Sequence, residues 1–466
     1  MMTYQKILIV AYAGHAHIHP AMRLANRLTQ MGADVTLCTS LSVVQRIDKS
    51  SIPRGLIFAP FFDGHDNGFQ PTTSSLLQYL TDFEIRGTSA IAKIIQSATA
   101  TGQPFDYLVY TTALYWAAHV AHTHGIKAAL LWCQSATMFD IYYYYFNDYQ
   151  NLISSNNNNL TFPIDLPGLP PLTIGDLSLF MLSSCPKDYK FILTIMKNHI
   201  VALKITSTIL VNTFNELEIG SIRAIAKLNI QPIGPLVPLE FLEEQGSWAL
   251  TNDFFDKPED DYIKWLDMQS KSSVVYVSFG TVASFSMEQL EEVARGLLEI
   301  GRPFLWVIRD GEKSGKLSNL EKLQKLGTIV SWCSQVVVLG HEAIGCFVMH
   351  GGWNSTLESL VAATPTVVFP QWSDQLNNAK MLQEVWKTGV KVKSREGDGV
   401  LEGKEMKRCV EIVMGNKEMK RNAEKWRDLA KEALKINGGS SIVNLQAFLD
   451  NACNEMGNNM PSYGNN

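Results

Sequence analysis

The chain of 466 residues is long enough for about two to three domains, and its 46% apolar and 10% aromatic residues suffice for large cores. A formal net charge of −5, with no long basic run, excludes a protein that tracks a nucleic-acid backbone. The seven cysteines are odd in number and scattered, with no CxxC pair, which argues for reduced thiols, no disulfide frame and no zinc site.

Residues 1–14 (MMTYQKILIVAYAG) lack a basic flank, a long apolar core and a small-residue cleavage site, so they read as a first strand rather than a signal peptide. No apolar run reaches the roughly 18 residues that span a bilayer, and the expected location is cytosolic. Residues 6–12 (KILIVAY) predict a strand buried on both faces. A loop over 13–19 leads to Pro20, a favoured first helical residue, and Gly32 closes the helix. Residues 33–39 are the next strand, which makes a βαβ unit and a parallel sheet. The loop, AGHAHIH, is not GxGxxG, so a dinucleotide at this turn is disfavoured.

A strand at 107–110, a helix at 116–124 and a strand at 128–132 continue the alternation. The aromatic run 139–146 (FDIYYYYF) is too dense for one amphipathic face. Most of its rings belong in a core, and some are candidates for a pocket wall. Residues 151–175, rich in Asn and Pro, read as a surface loop. A strand at 209–212 follows, and the domain changes near 233–238, before a polar linker over 239–260.

The second half restarts the pattern. Residues 273–279 form a strand and Gly280–Thr281 a turn. Ser286 and Gln289 make a capping box for a helix over 287–300 that Gly301 ends. After a strand at 304–309 comes the stretch Trp332–Gln375, the most unusual in the chain. In it, 346–350 predicts a strand, 351–355 a turn, 356–363 a helix and 366–369 a strand. Beyond it lie a helix at 376–387, a strand at 389–392, one charged helix over 404–434 and a last amphipathic helix at 442–451. A ligand belongs in the cleft between the two α/β halves, beyond the carboxyl ends of the strands.

A glycine turn between a strand and a helix N-terminus leaves backbone N–H groups free for an anion. Here His350, Asn354 and Ser355 add side-chain donors to that turn. Trp332, Glu358, Asp374 and Gln375 lie around it in sequence. The set calls for a ligand with a flat ring, hydroxyls and phosphates.

The stretch Trp332–Gln375 resembles the plant secondary-product glycosyltransferase signature of the family 1 UDP-dependent glycosyltransferases. The resemblance extends over Ala16-His-Ile-His-Pro20, Val211-Asn-Thr-Phe214, Ile233-Gly-Pro235 and Ser278-Phe-Gly-Thr281. The run LLWCQSATMFDIYYYYFNDY most resembles the branch of anthocyanin 5-O-glucosyltransferases and glucosyl-ester-forming enzymes. The resemblance implies an α/β GT-B architecture, two Rossmann-like domains with parallel sheets facing across a cleft. Residues 1–238 would bind the acceptor and 261–439 the UDP-sugar, with a C-terminal helix over 440–455 packing back on the first domain. It implies an inverting, metal-independent transfer from UDP-glucose as co-substrate to a hydroxyl or carboxyl group of a small secondary metabolite. The acceptor and UDP-glucose would be the partners of a monomer.

The resemblance also implies roles. Trp332 would stack on uracil, with Cys333 and Gln335 beside base and ribose, and Glu358 would bind the ribose hydroxyls. His350, Asn354, Ser355, Ser278 and Thr281 would hold the diphosphate. Trp353, Asp374 and Gln375 would hold the sugar, and a final Gln goes with glucose. Of His15, His17 and His19, the family pattern selects His17 as general base, with Ala16 and His19 departing from that pattern. The family's orienting Asp is replaced by Thr111, whose hydroxyl can accept an Nδ1–H but cannot stabilise an imidazolium as a carboxylate does. An acceptor that is already ionised, a carboxylic acid or an acidic phenol, would suit that loss. Acceptor-lining residues are expected among Trp132, Gln134, Thr137 and Tyr142. His119, His122 and His124 are read as helix surface rather than a metal site. Two other functions stay open: a UDP-sugar-binding homologue with impaired catalysis, and a transferase of a different UDP-sugar.

Overall fold

In the computed structural model the apolar run near the N-terminus forms β1 (Lys6–Val10), and parallel pairing on both sides buries it completely but for Lys6. The structure describes residues 5–48, 52, 54–70, 75–238, 241, 261–281 and 285–454. The expected linker over 239–260 therefore lies outside the described residues, apart from Phe241.

The other strands in chain order are β2 (Asp34–Cys38), β3 (Ile57–Phe58), β4 (Tyr107–Thr111), β5 (Lys127–Trp132), β6 (Pro163–Ile164), β7 (Leu172–Thr173), β8 (Thr206–Val211) and β9 (Ile230–Pro232). The second half adds β10 (Val274–Ser278), β11 (Phe304–Val307), β12 (Thr328–Val330), β13 (Ile344–Met349), β14 (Thr366–Val368) and β15 (Gly389–Lys391). Seven strands form one parallel sheet, ordered β3-β2-β1-β4-β5-β8-β9, and six form a second, ordered β12-β11-β10-β13-β14-β15. β6 and β7 make a separate antiparallel pair.

Both sheets have the same switch point. β1 lies between β2 and β4, and β10 lies between β11 and β13. Chain direction away from the central strand reverses there, so the loops after β1 and β4, and after β10 and β13, diverge and leave a crevice. Strand alternation sends Ile7 and Ile9 to one face of the first sheet and Leu8 and Val10 to the other, each joining its own buried cluster.

The C-terminal helix Ser440–Asn454 crosses to the first domain, where Leu445, Phe448 and Leu449 join the core that holds Ile7 and Ile9. The Ser441 hydroxyl donates to the Gly234 carbonyl at 2.6 Å, and Asn444 to that of Pro232 at 2.8 Å. Buried Arg27 donates to the carbonyls of Ile233, Pro235 and Val237, tying down the exit from the first domain.

Several local expectations are corrected. The first helix begins at His15, not Pro20, so the three histidines lie in its opening turns and Pro20 lies inside it. The Ser286 hydroxyl caps Gln289 N–H, but the Gln289 side chain bonds the backbone of Leu401, so the capping box is half made. The long charged helix breaks into Gly403–Gly415 and Lys417–Ala433, because Asn416 caps the second by accepting from the N–H groups of Glu418 and Met419. Residues 151–175 are not a plain loop: they hold the end of the helix Gln150–Asn156 and the β6–β7 pair.

Candidate active site in the interdomain cleft

The glycine turn after β13 is shorter than its sequence suggests. The helix starts at Trp353, so Trp353, Asn354 and Ser355 are its first turn and Gly352 its N-cap. A glycine cap contributes no side chain, and the first-turn N–H groups stay open to an anion. His350 lies against both facing turns. A Cβ on Gly280 would stand 2.7 Å from its Nε2, and one on Gly352 2.5 Å. Gly280 and Gly351 also have φ of +76° and +84°, which an L side chain resists. Burial lowers the His350 pKa to about 4, so the ring is neutral at pH 7 and offers a hydrogen bond rather than a charge. Ser278, buried, ends β10, while Thr281 is exposed on the same turn.

Trp332 follows β12 and is half-buried. Cys333 is buried, with its sulfur 3.4 Å from the Tyr276 hydroxyl. Gln335 Nε2 donates to Ser355 Oγ at 2.8 Å and to Glu358 Oε2 at 2.5 Å. Gln335, Ser355 and Glu358 thus form one polar network, with a carboxylate suited to a pair of hydroxyls.

Asp374 is buried, and its Oδ2 accepts from Asn378 at 2.8 Å. Burial raises its pKa, against the opposing pull of hydrogen bonds from Asn378, Ser373 and Gln134. Gln375 Oε1 accepts from the N–H groups of Gln371 (2.7 Å) and Trp372 (2.8 Å), closing that loop. Its NH2 end is what remains for a ligand. The Trp353 indole N–H is already engaged. It is buried and donates across the domain boundary to the Asn212 carbonyl at 2.7 Å, as Trp386 does to that of Leu217 at 3.2 Å.

In the first domain, Pro20 has no N–H for the Ala16 carbonyl one turn earlier. Asn354 Nδ2 reaches that carbonyl from the second domain, at 3.4 Å. The residue expected to hold phosphate thus also joins the two domains beside the histidines of the first helix. His17 meets the Tyr12 ring edge-on, with centroids 5.2 Å apart. Its Nδ1 is buried without a hydrogen-bond partner among the described residues, and burial lowers its pKa to about 4. His15 Nδ1 and His19 Nε2 pair at 3.3 Å on the same turns. Burial and then Arg23 lower the His19 pKa to about 3. The Thr111 hydroxyl does not meet His17: it accepts the Tyr12 N–H at 2.9 Å.

Three of the four expected acceptor-lining residues are core instead. Trp132 is 1% exposed and donates to the Ser135 carbonyl. Thr137 bonds buried Glu218 through both N–H and hydroxyl. The Tyr142 hydroxyl donates to Ser178 at 2.9 Å. Only Gln134, half-buried, faces the other domain, donating to Ser373 Oγ at 3.1 Å. Residues 139–144 of the aromatic run lie in a helix, Ala136–Tyr144, buried on every side, and only Phe146 at the end of the run is half-buried, so its density signalled core.

Sequence reasoning missed His199, whose buried ring lies among Tyr110, Tyr115 and Trp132. Nothing around it in FILTIMKNHIVA marks it. A separate cavity of about 450 Å³ at the domain seam is lined by Leu179, Leu182, Gln371, Leu376 and Lys391 and by none of the expected site residues. Among the described residues no helix is long and apolar enough to cross a membrane.

The chain is similar to known proteins over almost its whole length. A family model described as UDP-glucoronosyl and UDP-glucosyl transferase matches residues 251–433. UDP-glycosyltransferase 75C1 of Solanum lycopersicum is 46% identical, over 96% of this chain and 98% of that protein. Phloretin 4'-O-glucosyltransferase of Malus domestica is 44% identical over 96% of this chain and 98% of that one. The crystal structure of Os79 from O. sativa in complex with UDP superposes with a TM-score of 0.84, at 29% identity, over 96% of this chain and 100% of that chain. The chain therefore belongs to the UDP-glucoronosyl and UDP-glucosyl transferase family and is a UDP-glycosyltransferase of GT-B fold.

Proposed function

We propose that the protein transfers glucose from UDP-glucose, with inversion, to an oxygen of a small metabolite, and that it favours acceptors that are anions or ionise easily. The observation that carries the preference is the lone imidazole of His17, with its Nδ1 unpartnered and the Thr111 hydroxyl committed to Tyr12. Neutral at pH 7, His17 can take a proton on Nε2, but among the described residues no carboxylate offsets the imidazolium that results. A carboxylic acid with a pKa of about 4 arrives without its proton and needs no such offset, and an acidic phenol lies between.

In this reading the acceptor oxygen attacks C1 of glucose while the bond from C1 to the β-phosphate oxygen breaks and its electron pair leaves with UDP. A hydroxyl acceptor passes its proton to His17; a carboxylate passes none. The open first turn at Gly352–Ser355 meets the growing charge of the diphosphate, as preorganised donors do at other developing charges. Trp332 takes uracil, Glu358 the ribose, and Asp374 with the Gln375 NH2 the sugar. The first domain holds the acceptor and the second the donor. One chain is the working unit in this reading. Similarity to a protein named crocetin glucosyltransferase and one named phloretin 4'-O-glucosyltransferase supports glucose as the sugar.

Steady-state kinetics with UDP-glucose on matched carboxylic-acid, phenol and aliphatic-alcohol acceptors test the preference, with alkali lability separating esters from glycosides. Carboxylate and phenol should turn over faster, and faster turnover of aliphatic alcohols would reject the reading. His17→Ala should lose roughly 10²- to 10⁴-fold on hydroxyl acceptors and less on carboxylates.

A further inference from the structure

His199 lies in the helix Phe191–Ala202, is 1% exposed, and has no part in the chemistry above. Its Nε2 accepts the Ala113 N–H at 2.8 Å. A ring nitrogen that accepts carries no proton, so the neutral ring holds its proton on Nδ1, which is buried without a partner among the described residues. Burial, and then the nearby charge that His17 would carry, lower the His199 pKa to about 3, so Nε2 stays an acceptor throughout the working range.

The turn it holds is a strained one. Ala113 has φ of +80°, a conformation that persists in an L-residue only when its surroundings impose it. Two residues earlier, Thr111 accepts the Tyr12 N–H, and the Tyr12 ring stands at 87° to that of His17. An unbroken series of direct contacts and one short turn therefore joins His199 to the base.

We propose that His199 is a positioning residue for the base: by holding Ala113 it fixes the turn after β4, and through Thr111 and Tyr12 it sets the ring of His17, which no carboxylate among the described residues orients. The proposal rests on His17 acting as the base. A buried histidine that only fills the core would give the same contacts, and coupling to His17 separates the two roles.

The test is a double-mutant cycle on the full-length protein. His199→Leu keeps bulk and removes the acceptor, and His199→Gln keeps an acceptor. Each is measured alone and with His17→Ala, reading kcat and both KM values on an aliphatic-alcohol and a carboxylic-acid acceptor. His199→Leu should lower kcat on the alcohol by roughly 10- to 100-fold, the scale of a misplaced catalytic group. The KM for UDP-glucose should not change, the loss on the carboxylic acid should be smaller, and Gln should recover most of the rate. In the His17→Ala background the loss should vanish, since residues acting as a unit are not additive. A full additional loss in that background, equal losses on both acceptors, or no recovery with Gln would overturn the proposal. Thr111→Val breaks the next contact and carries the same expectation of non-additivity, so a His199→Leu protein that fails to fold leaves the test intact. A harmless His17→Ala on alcohols would overturn the base reading and this proposal together, whereas an additive His199 loss beside a strong His17 effect overturns this one alone.

Discussion

Gly280 shows how narrowly single positions in the glycine turns after β10 and β13 are set. Its φ of +76° excludes a comfortable L side chain, and a Cβ there would stand 2.7 Å from His350 Nε2. The imidazole cannot step aside easily, because Gly352 leaves it only just enough room on another side. Gly280→Ala should therefore raise the KM for UDP-glucose by roughly tenfold, which corresponds to about 1.4 kcal/mol. An unchanged KM for UDP-glucose, at saturating acceptor, would remove His350 from the donor site. Residue identity at these turns was legible in the chain, because a glycine between a strand and a helix has few other physical reasons to be there. Thr111 was legible as a departure, but not its use. That its hydroxyl serves the Tyr12 N–H rather than a histidine depends on the parallel pairing of β1 with β4.

At the scale of elements, the helix Trp353–Val361 both presents open N–H groups and bolts the domains together. Its first residue does the second task with the indole, whose N–H is spent on the Asn212 carbonyl. Trp353→Phe leaves the buried Asn212 carbonyl without its donor and should cost about 1–3 kcal/mol, seen as a lower Tm in thermal unfolding. The KM for UDP-glucose should change little, and a large rise would return the ring to the sugar site. The first helix gave the opposite lesson. Pro20 marked a start by its usual place at the first helical position, yet the helix runs through it from His15. The missing N–H is instead used, leaving the Ala16 carbonyl for Asn354. Propensity alone does not distinguish the two uses of a proline, since the partner lies in the other domain.

For the whole molecule, burial of histidines sets the response to acid. His17 and His350 are lowered to about 4, and His19 and His199 to about 3. Below their ordinary pKa of about 6.5 the unfolded chain binds protons that the folded protein refuses, so stability is present above that pH and is lost as pH falls toward 4. Buried Asp140, Glu218 and Asp374 act in the other sense, because their raised pKa values let the folded state hold protons that the unfolded chain has released. Between pH 7 and 5 each of the four histidines loses stability as its unfolded-state form takes up a proton, whereas a carboxyl opposes that loss only up to its own raised folded-state pKa. The Tm should fall over that range, and a flat or rising Tm would contradict the buried, neutral histidines. What the chain determined by itself is built from near neighbours: two β-loop-α starts and, from Trp332 to Gln375, a strand, turn and helix that follow one another directly. Those features arise from strand alternation, glycine conformation and helix ends, which act over a few residues. Only the tertiary structure decided which aromatic residues are core, which hydroxyl meets which N–H, and that His199 holds the turn after β4. Each of these joins residues far apart in the chain and brought together by sheet order, as Tyr12 is to Thr111 and Ala113 to His199. No local pattern encodes such pairs, because a buried donor takes whichever acceptor the packed sheets bring to it.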